Sequence, residues 1–174
     1  MKNLKLALVA STVLAASASG VALAATDGTL GLTSEGESLI TLIKQNAVQI
    51  TDVADLNLGT FATATADVVG SDNVCVFSST GGYNVEIDGS VAGTFELDSA
   101  GDKLAYSVTW AANGGAAAAV TAGTPITGLT GDSTSLNCGG GTNATFEVTV
   151  AQAAFNAADP GTYTDTLTLT VRPE

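Results

Sequence analysis

Gly161-Thr162-Tyr163-Thr164-Asp165-Thr166-Leu167-Thr168-Leu169-Thr170-Val171, close to the chain's end, is the stretch that decides the fold. Leu167, Leu169 and Val171 share one face, and Thr164, Thr166, Thr168 and Thr170 share the other. Period two is strand geometry, because successive side chains point to opposite faces of a sheet. An apolar face backed by a polar one belongs to an antiparallel sheet covered on one side. Upstream, the same period recurs. Phe146, Val148 and Val150 alternate with Glu147 and Thr149, and Leu104, Tyr106, Val108 and Trp110 with Ala105, Ser107 and Thr109. Phe95 and Leu97 alternate with Glu96 and Asp98, and Tyr83, Val85 and Ile87 with Asn84, Glu86 and Asp88. Turn signals punctuate the runs at Gly81-Gly82, Asp88-Gly89, Asn113-Gly114-Gly115, Gly139-Gly140-Gly141 and Asp159-Pro160-Gly161. Short alternating strands at this spacing predict an antiparallel sandwich or barrel.

The remaining segments are less regular. Residues 116–119, an alanine run between glycines, read as a loop or an edge strand. Residues 38–43 are apolar on both faces; their Ile and Thr content, and the alternating Val48 and Ile50 that follow, predict a strand. Residues 26–37 read TDGTLGLTSEGE. Leu30 and Leu32 alternate there with small residues, which fits either a frayed tail or a detachable strand that completes another molecule's sheet. Composition does not choose between the two.

At the start, Lys2 and Lys5 precede an apolar run to Ala18, followed by Ala22-Leu23-Ala24. A charged region, a short apolar region and an Ala-x-Ala site make residues 1–24 a secretory signal. Its removal leaves 174 − 24 = 150 residues and takes away two lysines, so the net charge of −12 becomes (5 − 2) − 17 = −14. A chain this acidic repels phosphate backbones, which excludes nucleic acid as a partner. Histidine is absent, which removes His-based triads and most zinc or iron sites. Cys75 and Cys138 are the only cysteines. In an oxidising compartment they are expected to pair, closing a loop worth about 4 kcal/mol in the chain-entropy model. Acid pairs such as Asp98 with Asp102, or Glu86 with Asp88, read as solvated turn charges, and no catalytic residue, metal site or cofactor is expected. The turn from Asp98 to Asp102 lacks the ligand count of a dedicated calcium loop.

Five segments in order carry a resemblance: residues 55–61 (DLNLGTF), Val74-Cys75-Val76, residues 82–89 (GYNVEIDG), Lys103-Leu104-Ala105-Tyr106, and the closing Gly-x-Tyr-x-Asp strand. The chain resembles the spore coat protein U-like family, which includes pilins of the archaic chaperone–usher pathway. It departs from that pattern in having no cysteine within residues 44–53, so that Cys138 is the partner for Cys75, and in ending Arg172-Pro173-Glu174 instead of on an aromatic residue.

The resemblance implies an all-β fold: an incomplete immunoglobulin-like antiparallel β-sandwich, residues 38–174, completed by a donor strand. It implies a pilus subunit, polymerising by donor-strand complementation and exchange and supporting adhesion and biofilm formation. A periplasmic pilus chaperone first lends a strand. At the outer-membrane usher, the N-terminal extension of the next subunit, residues 25–37, replaces it. The implied partners are therefore the chaperone, the usher and further copies of the chain, with a tip adhesin as an optional addition, at the cell surface. The donor would comprise Thr29, Leu30, Gly31, Leu32, Thr33 and Ser34. The acceptor groove would comprise Leu39, Thr41, Ile43, Leu167, Leu169 and Val171. The rival is a secreted stand-alone sandwich, a coat or lectin-like binding protein with Trp110 and Tyr106 facing a sugar. Both share the inward parity of Leu104 and Val108, so core packing is the expectation. N-terminal sequencing of the secreted chain should begin at Ala25; a chain that still begins at Met1 would contradict the cleavage reading.

Overall fold

A computed structural model describes residues 25–174; the expected signal, residues 1–24, lies outside the described residues. The chain divides between Lys44 and Gln45 into two units. In the first, Thr26 and Glu37 form an isolated antiparallel bridge whose two N–H···O bonds are each 3.0 Å long. Residues 30–33 are bent, and Leu30 and Leu32 stand fully exposed at the tip. Residues 38–44 join no strand, and Leu39, Ile40, Leu42 and Ile43 are all exposed. The strand expected over 38–43 is therefore not formed. A segment apolar on both faces gains strand structure only between two partners, and none pairs with it among the described residues.

The unit Gln45–Glu174 contains β1 (Val48–Thr51), β2 (Val68–Ser78), β3 (Gly82–Asp88), β4 (Glu96–Ser99), β5 (Asp102–Ala105) and β6 (Ser107–Ala112). Then follow β7 (Ala118–Ala119), β8 (Ile126–Thr130), β9 (Ala144–Val150), the helix α1 (Gln152–Ala157) and β10 (Thr168–Pro173). Five strands form one sheet in the order β1-β2-β9-β6-β7, three form another in the order β10-β3-β8, and β4-β5 is a separate hairpin. Every strand pairing is antiparallel.

The alternation read from sequence sets the core. Tyr83, Val85 and Ile87 from β3 are buried with Val108 and Trp110 from β6 and Phe146, Val148 and Val150 from β9. Trp110 and Tyr83 join the two larger sheets: their rings meet edge-on at 6.5 Å, and the indole N–H donates to the phenol oxygen at 3.3 Å. A buried indole needs such an acceptor. Cys75 and Cys138 are bonded, Cα to Cα 5.9 Å, which pins the loop after β8 to the middle of β2. That loop turns through three consecutive left-handed residues, Cys138, Gly139 and Gly140, and the two glycines accept this backbone at little cost.

Two local features differ from the sequence reading. The run from Leu104 to Trp110 is not one strand: β5 pairs with β4 through Ala105, the Tyr106 N–H turns aside to Phe95 O at 3.0 Å, and pairing with β9 starts at Ser107. The helix α1 was not expected. Its Ala151 N-cap offers no side-chain acceptor, and the cap comes from afar, with Gln152 N–H donating to Asp67 Oδ1 at 2.8 Å. Asn156 then holds Ala64 by both its amide atoms, at 2.8 and 2.9 Å. Trp110→Ala should destabilise the subunit by about 3–5 kcal/mol. A thermal or denaturant midpoint indistinguishable from that of the parent chain would mean that the two sheets do not share this core.

Candidate functional site

Among the described residues, strand β10 bonds to β3 along one edge and has no strand on the other, and β1 likewise ends its own sheet. Strands β1 and β10 approach each other on one flank of the sandwich. Near that flank lies an open groove of about 250 Å³. Leu167 and Leu169 form one wall, Leu56 and Leu58 the other, and Tyr106, Phe146 and Val148 the floor. The walls follow from local sequence. Leu56 and Leu58 alternate in DLNLG, and Ala54 N–H donates to Asp72 Oδ2 at 2.8 Å, tying the segment to β2. Gly70 of β2 makes room: a Cβ there would lie 2.5 Å from Leu58 Cδ2 and 3.2 Å from Leu56 Cδ2.

Two carboxylates, Asp55 and Asp165, line the same groove. Asp165 is a junction. It accepts the Tyr106 O–H at 2.6 Å, the Ser90 N–H at 3.0 Å and its neighbour Thr166's N–H at 2.8 Å. Burial opposes its ionisation, but the hydrogen bonds from Ser90, Tyr106 and Thr166 outweigh burial and hold the carboxyl below its ordinary value. Burial first, and the bonded carboxylate second, push the Tyr106 phenol upward. Gly89 is required beside this junction, since a Cβ there would sit 2.5 Å from Thr94 O and 2.8 Å from Asp165 Oδ2. The aspartate of the Gly-x-Tyr-x-Asp motif thus fixes where the chain enters β10. The motif's Tyr163 closes the turn before it, donating its O–H to Asp159 O at 2.9 Å.

Of the residues picked from sequence, Leu167 and Leu169 line the groove. Both are half-buried, as expected of a wall open on one side. Val171 packs on the core beyond the lining. Leu39, Thr41 and Ile43 are absent from the lining and exposed. Residues 29–34 are a bent, exposed loop. Leu56, Leu58, Tyr106 and Asp165 were missed as groove residues, although the alternation at 56–58 was an available signal. Trp110 and Tyr106 are enclosed, at 1% and 9% exposure, and present no sugar-stacking face. Two of the acids named above have basic partners: Asp98 bonds Lys103, and Glu86 bonds Arg172 at 2.8 Å. Asn143 spends both amide atoms on the Val76 backbone, at 2.8 and 2.9 Å.

No family model matches the chain, and no curated protein does. Among solved structures it is similar to a chain from "Chaperone-tip adhesin complex is vital for synergistic activation of CFA/I fimbriae biogenesis". The TM-score is 0.54 at 16% identity, covering 73% of this chain and 42% of that one, so the chain spans less than half the length of its structural neighbour. The fold is an immunoglobulin-like β-sandwich.

The Asp165 junction generates a pH test. Its folded-state pKa lies below the unfolded value of about 3.9. Its contribution is therefore present above that value and is lost as pH falls through the folded pKa. Asp165→Asn should flatten the loss of stability on acidification below about pH 4. Tyr106→Phe should destabilise by about 1.5–3 kcal/mol at neutral pH, the range for a bond to a charged acceptor. An unchanged acid limb in Asp165→Asn would show that the junction does not matter to stability.

Proposed function

We propose that the chain is a structural subunit of a cell-surface pilus, assembled by donor-strand complementation and exchange and supporting adhesion and biofilm formation. The observation that carries this reading is the free edge of β10 beside a leucine-walled groove. An exposed strand edge is a template for another strand. β-Strand addition uses ladder hydrogen bonds for affinity and alternate side-chain pockets for fit. The groove, at about 250 Å³, is smaller than the roughly 300–1,000 Å³ of small-molecule sites. It suits a few aliphatic side chains better than a ligand. Burying two such side chains contributes roughly 3–6 kcal/mol, and each ladder bond about 1 kcal/mol more.

On this reading a periplasmic chaperone occupies the groove first, and the outer-membrane usher exchanges it for the N-terminal unit of the next copy. That unit carries two apolar stretches suited to donation, residues 29–34 with Leu30 and Leu32, and residues 38–43 with four exposed aliphatics. The structural neighbour, a chain from a fimbrial chaperone–adhesin complex, supports the same class. The rival, a stand-alone sugar-binding sandwich, loses its aromatic face to the core.

Electron microscopy of the surface material from an expressing strain should show fibres that contain this chain. Deleting residues 26–44 should leave a folded, secreted subunit that forms none. Fibres of normal length from the deletion variant would overturn the donor-strand reading.

A further inference from the structure

We propose that the groove's occupant is residues 38–44 of a second copy, running antiparallel to β10 with Lys44 at the groove's acidic end. The inference rests on the donor-strand reading and specifies its partner. Charge is the first argument. Without residues 1–24 the chain has three cations, Lys44, Lys103 and Arg172. Lys103 is bonded to Asp98 and Arg172 to Glu86, so Lys44 is the one without an ion-pair partner among the described residues. It directly follows the apolar run Leu39-Ile40-Thr41-Leu42-Ile43. The groove has the complementary order: leucines along Leu169 and Leu167, then Asp165 before the start of β10, with Asp55 on the facing wall.

Antiparallel addition places the donor's C-terminal end beside the acceptor strand's N-terminal end. That alignment sets Lys44 by Asp165 and Asp55. Asp165 is already occupied by three donors, and Asp55 accepts no side-chain or backbone bond among the described residues, so Asp55 is the partner for the ammonium. Length agrees too. Residues 38–44 span seven positions and β10 six, about 23 Å and about 20 Å of extended chain.

Conformation is the second argument. Residues 30–33 are bent and closed off by the Thr26–Glu37 bridge, so donation from 29–34 requires breaking that bridge. Residues 38–44 carry no bend and no bridge, and their four large aliphatics are 62–92% exposed. They therefore pair without first breaking a backbone bridge among the described residues, and they have the larger apolar area to bury.

The test uses the full chain 25–174 and two labelled synthetic peptides, residues 37–46 and residues 27–36, with binding read by fluorescence anisotropy. The 37–46 peptide should bind and raise the melting temperature of the chain, while the 27–36 peptide should not. Lys44→Glu in the peptide should weaken binding about tenfold on the parent chain. On the Asp55→Lys chain, whose substitution is at an exposed position, the Lys44→Glu peptide should become the tighter of the pair. Binding of the 27–36 peptide alone overturns this inference and leaves the donor-strand reading standing. Equal binding of both Lys44 forms to the Asp55→Lys chain overturns the placement of Lys44. A monomeric chain that binds neither peptide overturns the second-copy occupant, and fibre formation by the deletion variant then decides the broader reading separately.

Discussion

A strand has two hydrogen-bonding edges, and among the described residues β10 uses only the one on β3. Its other edge can be hydrated, so the unpaired backbone alone costs little. The cost lies in what adjoins that edge. Leu167 and Leu169 project beside it toward Leu56 and Leu58 over a floor of Phe146 and Val148, and water lying over these side chains has few polar partners. Adding one extended segment resolves both problems together: its backbone pairs with the edge while alternate side chains fill the groove. A small ligand would fill the space and leave the edge open.

A groove is useful to a partner only if it keeps its shape while empty. Here that task falls to Asp165, two residues before Leu167. Its bonds from Tyr106, Ser90 and Thr166 join the entrance of β10, the exit of β5 and the turn after β3. A charged acceptor bonded three times is costly to release in a partly buried place, so Leu167 and Leu169 keep their position without a donor present. On the opposite wall the ties are weaker: one Ala54–Asp72 bond, and Leu58 resting on Gly70. If the groove widens, the 53–58 wall is the side that gives.

Much of this was legible in the residues. Period two identified the faces of β3, β6, β9 and β10, because a face that packs on a core must be apolar at every second position. The disulfide followed from a cysteine pair with no alternative partner. What stayed illegible depends on distant contacts. The helix α1 is capped by Asp67 and clamped on Ala64, neither near it in sequence. The break at Tyr106 keeps perfect alternation, since the chain changes partner without changing parity. Residues 38–43 read as a strand on their Ile and Thr content and the alternation that follows, and both their faces are apolar. The same property leaves them unpaired in one subunit, since a segment with no polar face fits only where both of its faces are covered. Leu56 and Leu58 carried the alternating signal in a segment too short, and too rich in glycine and asparagine, to stand out as a wall.

Charge sets the remaining constraint. At a formal charge of −12, two copies repel each other at long range, although ions confine that repulsion to about 8 Å at physiological salt. A surface this acidic keeps folded subunits apart and soluble despite an open, apolar edge. It also disfavours edge-to-edge sticking of two β10 strands, each of which would bring its own Asp165 and Glu174 to the contact. An apolar strand ending in a single lysine escapes both penalties. It buries no carboxylate, and it brings positive charge to the one place in the groove where negative charge is concentrated. Selectivity then comes from the sum of two weak preferences. Apolar burial says that something extended should enter, and the Asp55–Asp165 end says which way round it should lie.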